Sequence, residues 1–174
     1  MLKTERIFLV GPMGAGKSTV GRVLAQILQV DFVDSDAEIE RRTGADIPWI
    51  FEIEGEDGFR TRESQVIADL STQTGLVVAT GGGAVMREEN RRVLAKSGFV
   101  VYLQATVKEQ VRRTGKDSKR PLLAGKNRSQ VLSDLFRVRD PLYIEVADLV
   151  LATAGKNARQ LAELIVAAVE LQPA

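Results

Sequence analysis

The most specific chemical signal in this sequence is a glycine-rich segment at residues 11–18, which reads Gly-Pro-Met-Gly-Ala-Gly-Lys-Ser. It matches the pattern G-x-x-x-x-G-K-[ST], whose chance probability in a chain of this length is on the order of one in a hundred or two. The segment follows an apolar run at residues 7–10 and precedes a helical pattern, as a phosphate-binding loop (P-loop) requires. Its glycines let backbone N–H groups turn toward phosphate oxygens beside the positive end of a helix. The segment therefore predicts a nucleotide-phosphate site.

Side chains of this loop have separate predicted roles. Lys17 would contact the β- and γ-phosphates during transfer, and Ser18 would bind Mg²⁺ through its hydroxyl. The predicted nucleotide-binding residues of the loop are Gly14, Ala15, Gly16, Lys17, Ser18 and Thr19. A P-loop alone does not separate kinases from GTPases and ATPase motors. The chain is too short for most motors and lacks the Asn-Lys-x-Asp guanine motif of a GTPase.

A pair of carboxylates, Asp34 and Asp36, follows the second predicted strand at its carboxyl end, where doubly wound sheets bind ligands. One carboxylate could reach Mg²⁺ while the other faces an acceptor hydroxyl. The same spacing is equally typical of a helix N-cap. Because the chain contains no His and no Cys, proton transfer must use a carboxylate, and thiol chemistry and disulfides are excluded.

Short apolar runs and amphipathic helices alternate along the chain. The helical patterns include residues 20–28 and a face formed by Leu161, Leu164, Ile165 and Ala168. This alternation predicts a parallel sheet with helices on both faces. The predicted strands are residues 7–10, 32–33, 76–79, 99–103 and 149–151.

Two stretches fit this alternation poorly. Residues 43–70 are helical in pattern without a strand, and Gly44, Pro48, Gly55 and Gly58 are expected to break them into pieces. Residues 114–128 are polar and basic. Insertions of this kind often bind ligands or form lids, although surface loops are an equal alternative on the residues alone.

The bulk composition favours one ordinary globular domain. The 174 residues include 24 Lys and Arg against 23 Asp and Glu, and the net charge of +1 gives no reason to expect nucleic-acid or membrane-surface binding. The sequence has no apolar run of 18 residues and no leader-like segment, so the expected location is the cytoplasm. No heptad seam is visible, and a monomer is expected.

Six motifs occur in order along the chain: Gly-Pro-Met-Gly-Ala-Gly-Lys-Ser-Thr at 11–19, Asp34-Ser35-Asp36, Asp57-Gly58-Phe59-Arg60-x-x-Glu63, Ala79-Thr80-Gly81-Gly82-Gly83, Lys119-Arg120-Pro121-Leu122-Leu123 and Arg139-x-Pro141-Leu142-Tyr143. Together they resemble the shikimate kinase family, and the resemblance spans about residues 6–152. It implies a three-layer P-loop kinase fold with a five-stranded parallel sheet of order 2-3-1-4-5. It also implies a single domain over residues 1–174, with a substrate-binding insertion at about 35–70 and a lid at about 114–128. The implied reaction is ATP- and Mg²⁺-dependent phosphorylation of the shikimate 3-hydroxyl, on the route to chorismate and the aromatic amino acids.

The resemblance assigns roles on the acceptor side. Asp36 would hold the ring hydroxyls as the base or orienting group, and Asp34 would reach Mg²⁺ through water. Arg60 and Arg139 would grip the substrate carboxylate, for which planar guanidinium groups are well suited. On the residues alone, both arginines could instead be solvated on helix surfaces, or Arg60 could simply pair with Glu63 at i, i+3.

The remaining implied contacts lie in three loops. The run Gly81, Gly82 and Gly83 would let the substrate approach the backbone, although a plain strand-end turn is the alternative. Arg120 in the lid would stabilise charge on the transferred phosphoryl group, and Arg113 would stack on adenine.

The adenine loop departs from the family pattern. Residues 153–157 read Thr-Ala-Gly-Lys-Asn where family members often carry Asp-x-x-Gln or Asn. Lys156 takes the Gln position, so the adenine contacts there are expected to be mostly from the backbone.

Two other functions remain open on the sequence. A P-loop kinase for another small polyol acid, such as gluconate, would share the nucleotide half of the motifs. A non-catalytic nucleotide switch is a rival of a different class, and Asp36 and Arg120 argue against it.

Overall fold

A parallel β-sheet forms the centre of the molecule in the computed structural model, which describes residues 5–116, 120–125 and 127–173. All neighbouring strands pair in parallel, in the order β2-β3-β1-β4-β5. This confirms the expected α/β fold and strand order. The strands are β1 (Arg6–Val10), β2 (Asp31–Asp34), β3 (Leu76–Ala79), β4 (Phe99–Gln104) and β5 (Leu149–Ala152).

Helices cover both faces of this sheet. Phe8 of β1 packs toward α3, α4 and α6, whereas its neighbour Leu9 packs toward α1 and α7. Because successive strand residues point to opposite faces, a strand buried on both sides is apolar throughout. The helices are α1 (Lys17–Leu28), α2 (Ser35–Thr43), α3 (Ile47–Leu70), α4 (Glu88–Ser97), α5 (Val107–Thr114), α6 (Arg128–Val146) and α7 (Ala158–Glu170).

Three segments with predicted chemistry leave the sheet at the same edge. The P-loop follows β1, the Asp34–Asp36 segment begins at the last residue of β2, and the three glycines follow β3. Strands β2, β3 and β1 are adjacent, so their carboxyl ends bring the loops together. The sheet topology therefore builds the site from residues far apart in sequence.

Two local expectations were wrong. Only Gly44, the C-cap of α2, and Gly55 interrupt residues 43–70, since Pro48 lies in the first turn of α3 and Gly58 lies inside that helix. Proline is tolerated at a helix start because the first N–H groups have no partner within the helix. Leu164 of α7 is 43% exposed, because the core formed by α1 and the sheet covers only the narrower face of Leu161 and Ile165.

The predicted lid, at about residues 114–128, is described in part. Residues 120–125 contain a 3₁₀ turn, Pro121–Leu123, whereas residues 117–119, with Lys119 of the family motif, and residue 126 lie outside the described residues. Of the helices described, none has the length and apolar character needed to cross a membrane.

Gly55→Ala should destabilise the protein by about 1–3 kcal/mol, because its backbone lies where essentially only glycine is found. Gly55 bends α3 with φ 73° and ψ 176°. A methyl group there would meet no atom within 4 Å, so the loss would come from backbone strain alone. Urea unfolding measures the change in the free energy of unfolding. Gly115→Ala is the matched control, since φ is −57° there and the variant should be neutral or slightly more stable. Equal stability of the two variants would contradict this account of the bend.

Candidate active site

Two adjoining cavities open at the carboxyl edge of the sheet. The phosphate cavity is lined by the P-loop together with Asp34 and Thr80. The arginine cavity is lined by Arg60, Arg139 and residues of α3 and the predicted lid. The two cavities meet because they share four lining residues, which are Asp36, Gly81, Gly82 and Arg120. A group bound in one cavity therefore faces a group bound in the other.

The P-loop has the backbone that phosphate binding requires. Gly14 and Gly16 have φ of 76° and 86°, and Gly16 precedes α1 without capping it through a side chain. The first N–H groups of a helix capped in this way remain available to an anion. Ala15 is buried behind the loop, while Thr19 lines the cavity. The fold therefore places these predicted residues together.

Lys17 is a buried cation directed at the same loop. Its Nζ donates hydrogen bonds to the carbonyl oxygens of Gly11 at 2.7 Å and Pro12 at 2.9 Å. Burial, followed by the nearby charge of Arg120, lowers the pKa of Lys17 to about 7. Bound phosphate anions would favour the charged amine, because an opposite charge nearby raises the pKa of a lysine.

Asp34 makes two kinds of contact through its two carboxylate oxygens. Its Oδ1 caps α2 by accepting from the N–H groups of Asp36 at 2.9 Å and Ala37 at 3.1 Å. Its Oδ2 accepts from the Ser18 hydroxyl. This places a carboxylate oxygen and a hydroxyl oxygen side by side, which are ligands that Mg²⁺ prefers.

No cluster of three or more acidic side chains that could hold a metal occurs in the described part of the chain. Mg²⁺ is commonly bound by one or two carboxylates together with substrate phosphates and water. The Ser18 and Asp34 pair fits that mode of binding.

Asp36 and Glu63 direct carboxylate oxygens at one point above Gly81. A Cβ atom on Gly81 would lie 2.8 Å from Asp36 Oδ1 and 2.7 Å from Glu63 Oε2. Both oxygens are buried, with no hydrogen-bond partner among the residues that the structure describes. Burial, followed by the charges of Glu63 and Asp34, raises the pKa of Asp36 to about 7. A buried acceptor with this pKa is suited to take a proton at neutral pH.

Asp36→Asn should stabilise the ligand-free protein near pH 8 by about 1–3 kcal/mol, because stability changes by about 1.4 kcal/mol for each pKa unit of difference between folded and unfolded states. The carboxyl has a pKa of about 7 when folded, against its ordinary value of 3.8. The folded state therefore holds the proton more tightly, and stability falls as pH rises between the two values. Because asparagine does not ionise, Asp36→Asn removes this loss of stability at high pH. Thermal melts should show a gain that shrinks as the pH falls toward 4, because the unfolded carboxyl also begins to bind its proton as the pH nears its ordinary pKa of 3.8. A gain independent of pH would contradict the assignment.

Arg60 and Arg139 are buried rather than solvated, at 8% and 4% exposure. The expected pair of Arg60 with Glu63 is present, with Nη1 2.8 Å from Oε1. Arg139 Nε is buried without a hydrogen-bond partner in the described structure. Burial lowers the pKa of Arg139, and the charge of Arg60 adds to that effect. Two guanidinium groups that repel each other beside a cavity make a site for an anion such as a carboxylate.

The predicted adenine residues lie at the outer edge of the site. Arg113 Nη1 donates to Gly14 O at 2.8 Å and lies 3.5 Å from Thr153 Oγ1, so it joins the P-loop to the loop after β5. Lys156 is exposed, donates to Ala152 O at 3.2 Å, and lies along a separate surface groove. The structure therefore brings Arg113 to the P-loop but leaves Lys156 outside both cavities.

Sequence reasoning missed several cavity residues. The sequence indicates Glu63 only as a partner of Arg60, although its second oxygen faces the cavity beside Asp36. The rings of Phe51 and Phe59 line the same cavity 5.0 Å apart, and Met13 contributes from the P-loop. Glu63 stands in the same motif as Arg60, so its presence there was a usable signal. Nothing in the sequence marked Phe51.

A P-loop that shares its edge of a parallel sheet with a second cavity, lined by two buried arginines, is the arrangement of a P-loop kinase. The family model for shikimate kinase matches residues 13–170. The chain therefore belongs to the shikimate kinase family, whose members are ATP-dependent phosphotransferases.

Individual relatives agree with this assignment. The shikimate kinase of Haemophilus influenzae is 56% identical over 167 residues, covering 95% of this chain and 93% of the relative. A solved structure of shikimate kinase from Acinetobacter baumannii, in complex with shikimate, is 52% identical with a TM-score of 0.94, covering 97% of this chain and 96% of the other. The shikimate kinase structure from Aquifex aeolicus is 34% identical with a TM-score of 0.83, and the match covers 95% of this chain and 96% of the other.

Proposed function

We propose that this chain transfers the γ-phosphoryl group of ATP to the 3-hydroxyl of shikimate. The observation that carries the proposal is the meeting of the phosphate and arginine cavities at Asp36 and Arg120. A phosphoryl donor and an acceptor bound on opposite sides of these residues would face each other directly. In-line phosphoryl transfer depends mainly on this kind of positioning and on charge stabilisation.

The acceptor would be held at two ends. The buried guanidinium groups of Arg60 and Arg139 would bind the carboxylate of shikimate, since planar forks match a carboxylate well. Asp36 would accept a hydrogen bond from the ring hydroxyl at the other end. The complex of the Acinetobacter baumannii relative contains shikimate, which supports this choice of acceptor.

The donor would lie along the P-loop. Backbone N–H groups and Lys17 would hold the phosphates, and Arg113 would lie against adenine beside the loop that contains Lys156. Mg²⁺ bound by Ser18 and Asp34 would neutralise charge on the phosphate oxygens. Within the described residues Ser18 and Asp34 contact each other, and this contact supports their assignment to one ion.

Asp36 and Arg120 have separate roles in the chemical step. The 3-hydroxyl transfers its proton to the Asp36 carboxylate while its oxygen forms a bond to the γ-phosphorus. The bond from that phosphorus to the β,γ-bridging oxygen breaks, and ADP leaves. The Arg120 guanidinium stabilises negative charge on the transferred group, and its charge acts on both Lys17 and Asp36.

Release of ADP on addition of shikimate tests this function. Purified protein with Mg²⁺ and ATP should release ADP rapidly with shikimate and only slowly in buffer alone. Gluconate and a nucleoside monophosphate are the controls, since each is the acceptor of another kind of P-loop kinase. Release that is faster with either control than with shikimate would reject the proposed acceptor.

A further inference from the structure

Two buried tyrosines lie behind the glycine loop that follows β3. Tyr143 of α6 and Tyr102 of β4 are both fully buried, with ring centroids 4.9 Å apart. Their hydroxyls have different partners. Tyr143 donates to the carbonyl oxygen of Gly82 at 2.5 Å, whereas Tyr102 donates to Asp140 Oδ1 at 2.5 Å. Of these two bonds, only the one from Tyr143 to Gly82 involves a residue that lines the arginine cavity.

The Tyr143 bond fixes the orientation of a peptide that lines that cavity. The C=O and N–H of a planar trans peptide point in opposite directions. Because the Gly82 carbonyl is directed at Tyr143, the N–H of Gly83 in the same peptide points away from the tyrosine. Gly83 lines the arginine cavity, and a Cβ atom on it would lie 2.3 Å from Arg60 Nη2. This N–H therefore lies in the vicinity of the guanidinium groups.

Tyr143 also acts on Arg139. The two residues are four positions apart on α6 and therefore lie on one face of the helix. The hydroxyl and the guanidinium interact, since each is among the groups that shift the pKa of the other. A Cβ atom on Gly82 would lie 3.4 Å from Arg139 Nη1, so this glycine is held close to the arginine. One hydroxyl thus connects the glycine loop to the arginine.

We propose that Tyr143 is a positioning residue that aligns the Gly82–Gly83 peptide and Arg139 as one receptor for the carboxylate of the acceptor. This inference rests on the proposed function, because it takes shikimate as the acceptor. Tyr143 does not line the arginine cavity and acts on the substrate only through these two groups. A residue with this role determines affinity for the anion and not for the nucleotide.

Tyr143→Phe tests the proposal, because it removes the hydroxyl and keeps the ring. The loss leaves a buried carbonyl unpaired, so the KM for shikimate should rise about tenfold, while the KM for ATP stays within about twofold of wild type. Tyr102→Phe is the matched control, since it removes an equally buried hydroxyl from the neighbouring ring. It should lower the melting temperature by a similar amount and leave the KM for shikimate unchanged.

An acceptor analogue in which the carboxylate is reduced to an alcohol provides a second readout. Tyr143→Phe should affect this analogue much less than shikimate, because the analogue has no anion to align. Equal KM values for shikimate in Tyr143→Phe and wild type would overturn the inference. So would equal increases in the KM for shikimate and for ATP, which would indicate a general structural role. A wild-type protein that releases no ADP with shikimate would instead reject the proposed function itself.

Discussion

Arg120→Ala should lower kcat by a factor on the order of 10³, the low end for arginines that stabilise a transferred phosphoryl group. Arg120 lines both cavities, and its charge acts on Lys17 and Asp36 from the lid. The contact with the phosphoryl group would strengthen as charge develops in the transition state, so kcat should fall much more than shikimate affinity. Steady-state kinetics with a shikimate-binding isotherm measures both quantities.

Arg112→Ala is the matched control for this experiment. Arg112 is an exposed arginine on α5 that lines neither cavity. Its loss should leave kcat within about twofold of wild type, as is usual for surface substitutions. Arg120→Lys keeps the charge without the planar fork and should recover only part of the loss. An unchanged kcat in Arg120→Ala would remove Arg120 from the catalytic step.

Arg139→Ala should reduce kcat/KM for shikimate by about 30- to several-thousandfold, since truncating one partner of a buried charged pair costs roughly 2–5 kcal/mol. The same variant should affect the alcohol analogue of shikimate far less, because the alcohol does not use the contact. The burial of Arg139 and Arg60 at one cavity motivates this expectation. Comparing kcat/KM for both acceptors in both proteins isolates the interaction with the carboxylate.

Asp36→Asn serves as the complementary variant. Its proposed role is at the hydroxyl, so it should depress turnover of shikimate and of the alcohol by similar factors. If Arg139→Ala instead reduces both acceptors equally, the assignment of Arg139 to the carboxylate is wrong. Arg139 would then act on the fold or on the transferred phosphate.

Periodicity predicted the fold where local pattern and burial agree. The apolar runs at residues 7–10 and 76–79 became the central strands β1 and β3, which are buried on both faces. The pattern overestimated the apolar face of α7, because the sequence of a helix does not show how much of it the sheet will cover. The bend at Gly55 was expected, but the helical backbone at Gly58 was not, since only the tertiary packing of α3 decides between them.

Site residues in local motifs could be predicted, whereas those set by long-range contacts could not. Lys17 and Ser18 follow the P-loop after β1, Asp34 ends β2, and the three meet at one edge of the sheet, as their spacing indicated. The two contacts of Asp34, with Ser18 and with the start of α2, depend on which way each oxygen points, which no pattern encodes. The bond from Tyr143 to Gly82 joins residues 61 positions apart, and only the packing of α6 against the sheet creates it.

Identification of the phosphorylated product tests the central claim most directly. Protein, ATP, Mg²⁺ and shikimate are incubated to completion, and the product is analysed by phosphorus and proton NMR. The account predicts one phosphomonoester, coupled to the proton on C3, formed in equal amount with ADP. Phosphate on another hydroxyl, or ADP accompanied only by inorganic phosphate, would contradict the arrangement of acceptor and donor proposed for Asp36, Arg120 and the two cavities.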